Sequence, residues 1–206
     1  MMRSALKYFY VLFVYAFFYV PLIVVFIYSF NYNKYTTNWG GFSLRWYETL
    51  ANNTAILDAA LNSLRVAVSA ASLATLLGTL TAVSVKRYRF VGKRFIYVGV
   101  VMLTVAPDIV MGISLLIMFI ALKMNLGFLP LLLATTTLCA PFVAVTVLSR
   151  LAEFDEHLIE AARDLGASET RAFLHVLLPM AAPAIAAGWL LSFTLSMDDV
   201  LISTFT

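Results

Sequence analysis

Long uncharged apolar blocks constrain the fold of this chain more than any other feature of its sequence. Five of them recur, at about residues 8–30, 64–85, 95–122, 128–148 and 184–206. Each approaches the roughly 20 residues that an α-helix needs to cross the hydrocarbon of a bilayer. Charged residues make up only 12% of the sequence, about half of their share in a soluble domain. The sequence therefore predicts an all-α, polytopic transmembrane helix bundle, with residues 1–206 as a single transmembrane domain.

The composition argues against several classes of chemistry. Cys139 is the one cysteine and there are two histidines, which leaves no pair for a disulfide and no cysteine-based zinc site. The sequence does not match the Walker A motif, because the first glycine of the motif would fall on Arg87 and Arg94 stands in place of its Ser or Thr. We expect a transport subunit that is not an enzyme, with no metal and no cofactor bound by this chain.

Basic residues predict how the chain is oriented. Five of them crowd the short loop after the second span: Lys86, Arg87, Arg89, Lys93 and Arg94. Since basic loops are retained in the cytoplasm, the N-terminus and segment 150–183 are expected inside and segment 31–60 outside. The same rule explains the net charge of +3 without a nucleic acid partner.

Small residues and prolines predict features within the spans. Ala70, Ala74, Gly78 and Ala82 recur at every fourth position of the second span, so one face would admit a close neighbouring helix. The general abundance of alanine in membrane helices explains this pattern equally well. Pro141 is expected to interrupt the fourth span, and a proline before Asp108 would permit a kink. Residues 44–50 are expected to form a short helix within the external loop.

Segment 150–183 is patterned as two helices joined by a glycine. Asp155 and Ser168 are suitable N-caps, and Gly166 between them is suited to a left-handed turn. The first helix would carry an apolar stripe of Leu158, Ala161, Ala162 and Leu165. The second would carry Phe173, Val176 and Leu177 and end at Pro179. Such a unit is a candidate docking surface for a soluble partner, the alternative being a hairpin that lies on the membrane.

This segment resembles the EAA motif of bacterial ABC importer permeases. The residues that carry the resemblance are Glu160, Ala161, Ala162, Gly166, Leu178 and Pro179. In that family the loop sits in a cleft of the ATPase subunit and transmits its closure to the membrane helices. The resemblance implies the same coupling role here, with ATP and Mg²⁺ bound by the partner ATPase.

Other stretches are similar to the permeases of bacterial spermidine/putrescine importers, over nearly the whole chain. They are Trp39-Gly40-Gly41-Phe42, Trp46-Tyr47, Pro107-Asp108-Ile109-Val110, Arg150, 162–168 and Ser196-Met197-Asp198-Asp199. The resemblance implies a type I importer permease in the bacterial inner membrane, surrounded by lipid. It implies as partners a second permease subunit, two ATPase subunits and an external polyamine-binding protein. It also implies a sixth span, which is expected to be missing from residues 1–206.

Three carboxylates within apolar spans are candidates for a cation path: Asp108, Asp198 and Asp199. Each would cost about 2.5–3.5 kcal/mol at a helix centre, so each needs water, a partner or a function. If the third and fifth spans are continuous helices, Asp108 and Asp198 both lie roughly 20 Å from the cytoplasmic side. The alternative is that all three are solvated near the external interface.

The fifth span adds polar and aromatic candidates to this path. Ser192 and Ser196 share one helix face with Asp199, whereas Asp198 is rotated by about 100°. Trp189 can offer a cation–π contact to an ammonium group, although such aromatics more often pack against helices or lipid. The competing functions are a permease for another small solute, a cation channel or secondary carrier, and an assembly factor that transports nothing.

Overall fold

The computed structural model describes residues 2–35, 38–155 and 157–198. Asp199, one of the predicted path carboxylates, lies outside these described residues. Apart from an isolated antiparallel bridge between Asn31 and Phe42, the regular elements in the described ranges are helices. The prediction of an all-α fold is confirmed.

Two compact units make up the structure, Met1–Ala60 and Leu61–Thr206. The first contains α1 (Met2–Tyr28) and α2 (Arg45–Ala51), and the second of these confirms the short helix expected at 44–50. The loop between them is closed by Asn31, whose Oδ1 accepts a hydrogen bond from the Gly40 N–H at 2.7 Å. The single domain over residues 1–206 stays a prediction.

The remaining helices follow in chain order. They are α3 (Thr54–Arg87), α4 (Lys93–Val105), α5 (Asp108–Ala121), α6 (Phe128–Ala152), α7 (His157–Asp164), α8 (Glu169–Ala172), a π-helical turn (Phe173–Leu177) and α9 (Leu178–Asp198). The end of the segment predicted as an external loop, 31–60, is already helical, because α3 begins at Thr54.

Several of these helices can cross a membrane. Within the described ranges, four stretches are long and apolar enough: Lys7–Tyr28, Thr54–Arg87, Phe128–Ala152 and Glu169–Asp198. The pair α4 and α5 passes the same test together and supplies a fifth span if it is counted as one. The polytopic character predicted from the apolar blocks is confirmed.

The third span is bent at Pro107, where the sequence predicts that a kink is permitted, and the continuous helix assumed over 95–122 in the depth estimate is wrong. The axes of α4 and α5 differ by 113°. Ala106 between them is extended, with ψ 137°, because the ring of Pro107 disfavours the α conformation in the residue before it. The estimate that placed Asp108 at the depth of Asp198 assumed a straight helix, so it no longer holds.

Pro141 is predicted to interrupt the fourth span and Pro179 to end a helix, and neither does so. α6 continues without a break through the buried Pro141, and the helix expected to end at Pro179 instead runs on to Asp198. Before Pro179 the backbone forms a π turn, in which the Leu178 N–H bonds to the Phe173 carbonyl. This wider turn accommodates a proline, which would otherwise clash with the carbonyl four residues earlier.

The core of the second unit is built on Val143 of α6, which is fully buried. Gly78 of α3 and Gly188 of α9 both approach it. A Cβ atom added to Gly78 would lie 2.7 Å from the Ala140 carbonyl oxygen, and one added to Gly188 would lie 3.1 Å from Cγ1 of Val143. The predicted close packing of the second span is therefore real at Gly78, where α3 touches the α6 backbone.

We expect Gly78→Ala to lower the thermal midpoint of the purified protein in detergent. The added methyl group overpacks the contact between α3 and α6, which costs about 1–3 kcal/mol. Gly99→Ala in α4 is the matched control, since a Cβ there meets nothing within 4 Å. Alanine at that position leaves the midpoint unchanged or raises it. Equal midpoints for the two variants would contradict the close packing.

Candidate functional site

The first candidate site is α7, the helix that carries the EAA-like residues. Asp155 caps its start, with Oδ1 accepting a hydrogen bond from the His157 N–H at 3.0 Å. At its end the Gly166 N–H bonds to the Arg163 carbonyl and the Ala167 N–H to the Ala162 carbonyl. This pair of bonds, with Gly166 at φ 84°, is a Schellman motif. The predicted cap and left-handed turn are both present.

The second half of this segment is anchored to the membrane helices. Ser168 caps α8, and its Oγ accepts a hydrogen bond from the Arg171 N–H. Nη2 of Arg87, in the last turn of α3, donates to Oε1 of Glu169 at 3.1 Å. Residues that are 82 positions apart thus join the end of α3 to the start of α8.

α7 packs through a different face from the one predicted. Ile159 packs against the core around Val143, and Ala162 is half-buried. Leu158 is exposed, and Leu165 is 90% exposed. The residues of the expected stripe are therefore not buried together, and its two leucines lie on the surface of this chain.

Most of the EAA-like positions lie on the surface. Glu160 and Ala161 are exposed on α7, Gly166 forms the turn after it, and Pro179 is exposed near the start of α9. Leu178 is half-buried. Within the described ranges, Glu160 makes an ion-pair contact with His157, at 3.2 Å between Oε2 and Nδ1. These residues can therefore meet a soluble partner without any rearrangement of the core.

The second candidate site is the polar face of α9, which packs against α6. Ser192 is 0% exposed, and its carbonyl oxygen lies 3.7 Å from Sγ of Cys139. Ser196 is half-buried. Neither hydroxyl has a hydrogen-bond partner among the described residues. Ser192 can contact cargo only if α9 separates from α6, so its path role stays a prediction.

Trp189 occupies a neighbouring face of α9 and is half-buried. Its Nε1 donates to Oγ of Ser72 on α3 at 3.2 Å. Phe193 stacks on its ring at 5.5 Å between centroids, with an interplanar angle of 7°. The hydrogen bond to α3 and the stacked Phe193 therefore fix the orientation of the ring, whose faces are electron-rich.

The two described carboxylates of the predicted path are both exposed: Asp108 and Asp198. Asp108 is the first residue of α5, directly after the bend, where the helix dipole favours a negative charge. Asp198 is the last described residue of α9. The structure records no ion pair between either of them and another described residue.

Sequence reasoning missed a set of buried hydroxyls and the role of Arg87. Oγ1 atoms of Thr75, Thr79 and Thr136 are buried without a hydrogen-bond partner among the described residues. The first two are four apart on α3, a spacing that could have identified them. The contact of Arg87 with Glu169 joins distant parts of the chain, and no local signal predicts it.

The residues do not assemble a metal site in the described part of the chain. No group of three or more His, Cys, Asp or Glu side chains occurs there in a metal-binding arrangement. The described residues instead combine a short exposed helix, α7, with helices long and apolar enough to cross a membrane.

Comparison with known proteins agrees with this geometry. Residues 74–206 match a family described as "binding-protein-dependent transport system inner membrane component". The chain is 52% identical to the spermidine/putrescine transport system permease protein PotC of Escherichia coli K12, over 93% of this chain and 73% of that protein. The Haemophilus influenzae protein of the same name is 48% identical, over 93% of this chain and 75% of that protein. The putrescine transport system permease protein PotI of E. coli K12 is 42% identical, over 93% of this chain and 70% of that protein. The chain therefore belongs to the binding-protein-dependent transport system inner membrane components.

Proposed function

We propose that this chain is a permease subunit of an ATP-driven ABC importer that moves spermidine or putrescine into a bacterial cell. The observation that carries the coupling role is the exposed α7, which packs on the core through Ile159 and is followed by α8, held to α3 by the contact of Arg87 with Glu169. The names of the PotC and PotI relatives support the assignment of a polyamine as the cargo.

The continuity of the helix after α7 supports a coupling role. Glu169–Asp198 forms one helical stretch of 30 residues with a π turn inside it. A force applied to α7 and α8 by a partner would reach Trp189 through this single stretch. A surface that includes the exposed Leu158 and Leu165 suits an ATPase cleft, because docking removes these side chains from water.

Carboxylates and an aromatic ring suit a polyamine. Ammonium groups pair with the carboxylates of Asp108, Asp198 and Asp199, and they also bind over aromatic faces such as that of Trp189. Ser192 and Ser196 would contribute hydroxyls when α9 moves away from α6. The alternative is a permease for another small cation. It would have the same coupling role and would differ only in its cargo.

The partners follow from the same proposal. They are a second permease subunit, two ATPase subunits that bind ATP and Mg²⁺, and an external polyamine-binding protein. The N-terminus and α7 are assigned to the cytoplasmic side, because the basic residues at 86–94 flank the membrane helices there.

We expect Gly166→Val to reduce both ATPase copurification and polyamine-stimulated ATP hydrolysis. Its left-handed backbone, φ 84°, costs a β-branched residue about 1 kcal/mol or more. Gly166→Asn is the matched control, because asparagine tolerates this conformation. Glu160→Lys reverses an exposed charge on α7 and should weaken docking without unfolding the chain. Wild-type values for Gly166→Val and Glu160→Lys would remove the coupling role.

We expect Trp189→Leu to raise the KM of polyamine uptake by about 2- to 30-fold, since a cation–π contact is worth about 0.5–2 kcal/mol. Trp189→Phe keeps an aromatic face and should retain most of the uptake. Ser72→Ala removes only the acceptor of the indole N–H and serves as the control. If Trp189→Phe and Trp189→Leu lose uptake equally, the ring has a packing role and does not contact cargo.

We expect Asp108→Asn and Asp199→Asn to depress uptake strongly at matched membrane expression, and Asp198→Asn to have a smaller effect. If cargo takes these carboxylates out of water when it pairs with them, losing one costs about 2–5 kcal/mol, against about 0–1 for a carboxylate that stays solvated. Asp58→Asn, at an exposed carboxylate of α3, is the control. Near-normal uptake by the first two variants would exclude these acids from the path.

A further inference from the structure

A basic cavity of about 370 Å³ lies where the end of α3, the start of α4 and α7 meet. Among the described residues, its cationic lining side chains are Lys86, Arg87, Arg89, Lys93 and Arg163, and its acidic one is Glu160. The rest of the lining is apolar: Leu151, Phe154, Ile159 and Leu177. Nothing in the coupling role of α7 requires a cavity with this excess of positive charge.

Arg87 gives the cavity an unfilled hydrogen-bonding group. Its side chain is only 15% exposed, and one nitrogen, Nη2, donates to Glu169. The other, Nη1, is buried and has no hydrogen-bond partner among the described residues. A buried donor on a charged group is costly when it is unpaired. Because a guanidinium presents its N–H groups as a fork that matches phosphate oxygens, a phosphate group would satisfy it.

We propose that this cavity binds the phosphate of an anionic phospholipid headgroup. Lys86 and Arg87 end α3, which is long and apolar enough to cross a membrane, and Lys93 begins the bent pair of α4 and α5, which passes the same test together. Basic residues at such positions meet anionic headgroups. The cavity therefore offers charge where a lipid phosphate would be found.

Exposed apolar side chains near the cavity favour a lipid over a free phosphate ion. Tyr88, Phe90 and Val91 in the turn between α3 and α4, and Phe95 in the first turn of α4, are all exposed. Val91 is fully exposed and Phe95 is 83% exposed. Acyl chains and the interfacial region of a bilayer stabilise such side chains, whereas a free phosphate ion would leave them in water.

Lipid in this cavity would contact both the membrane helices and α7. Arg163 and Glu160 line it from α7, and the remaining cationic side chains come from α3, α4 and the turn between them. The headgroup would thus hold α7 in place by electrostatic attraction. Lipid binding does not depend on the proposed transport function, so the two can fail separately.

The test uses the full chain, delipidated in mild detergent and titrated separately with phosphatidylglycerol, phosphatidylcholine and inorganic phosphate. Bound lipid is counted by native mass spectrometry. We expect phosphatidylglycerol to bind in preference to phosphatidylcholine. Arg89→Gln/Lys93→Gln should weaken phosphatidylglycerol binding by on the order of tenfold or more, since each basic residue near the surface contributes to anionic lipid binding.

The matched control is Arg94→Gln/Arg171→Gln, which removes the same charge from positions outside the cavity lining and should leave lipid binding close to wild type. If both double variants weakened phosphatidylglycerol binding equally, the effect would come from general surface charge, and the proposed site would be wrong. Inorganic phosphate that competes as well as the lipid would make this a free anion site instead.

A third outcome would assign the cavity to a protein partner. If Arg89→Gln/Lys93→Gln lost copurification of the ATPase while phosphatidylglycerol binding was unchanged, the basic cavity would receive an acidic protein surface, and the lipid assignment would be wrong. Thermal midpoints of both double variants, measured alongside, should match wild type and exclude unfolding as the cause of any loss.

Discussion

Three helices of the second unit depend on one close contact, the approach of α3 and α9 to Val143 of α6. In a bilayer the lipid tails are as apolar as the side chains, so helices associate through van der Waals packing and not through the exclusion of water. Gly78 and Gly188 make that packing possible, because a Cβ at Gly78 would collide with the α6 backbone and one at Gly188 would press on the Val143 side chain. The position of Trp189, one residue beyond Gly188, follows from this contact.

The same packing leaves polar groups that the bundle does not satisfy. Hydroxyls of Thr79, Thr136 and Ser192 are buried without partners among the described residues, at a cost in free energy for each. A helix interface that must later open can tolerate such groups, since water or cargo would satisfy them in the opened state. Their presence between α3, α6 and α9 is consistent with helices that separate during transport.

Local chemistry explains which parts of this structure were predictable. The caps Asp155 and Ser168 and the turn at Gly166 form from neighbouring backbone groups, so their sequence signals suffice. The prediction that a helix ends at Pro179 is wrong because a proline is tolerated when the turn before it widens. The residues next to Pro179 carry no signal of that widening. The burial of Ser192 and the contact of Arg87 with Glu169 depend on which helices become neighbours, and periodicity within a helix carries no such information.

The π turn at Phe173–Leu177 has an angular consequence. A π turn holds about one residue more than an α turn, and each residue of an α-helix advances the direction of its side chains by about 100°. The turn therefore acts as a one-residue insertion. It rotates the residues that precede it about the helix axis, relative to α9. If one residue were removed and a regular α-helix restored, Glu169 would swing by about that angle, away from Arg87. One extra residue thus sets the direction around the helix axis in which α8, and α7 before it in the chain, are placed.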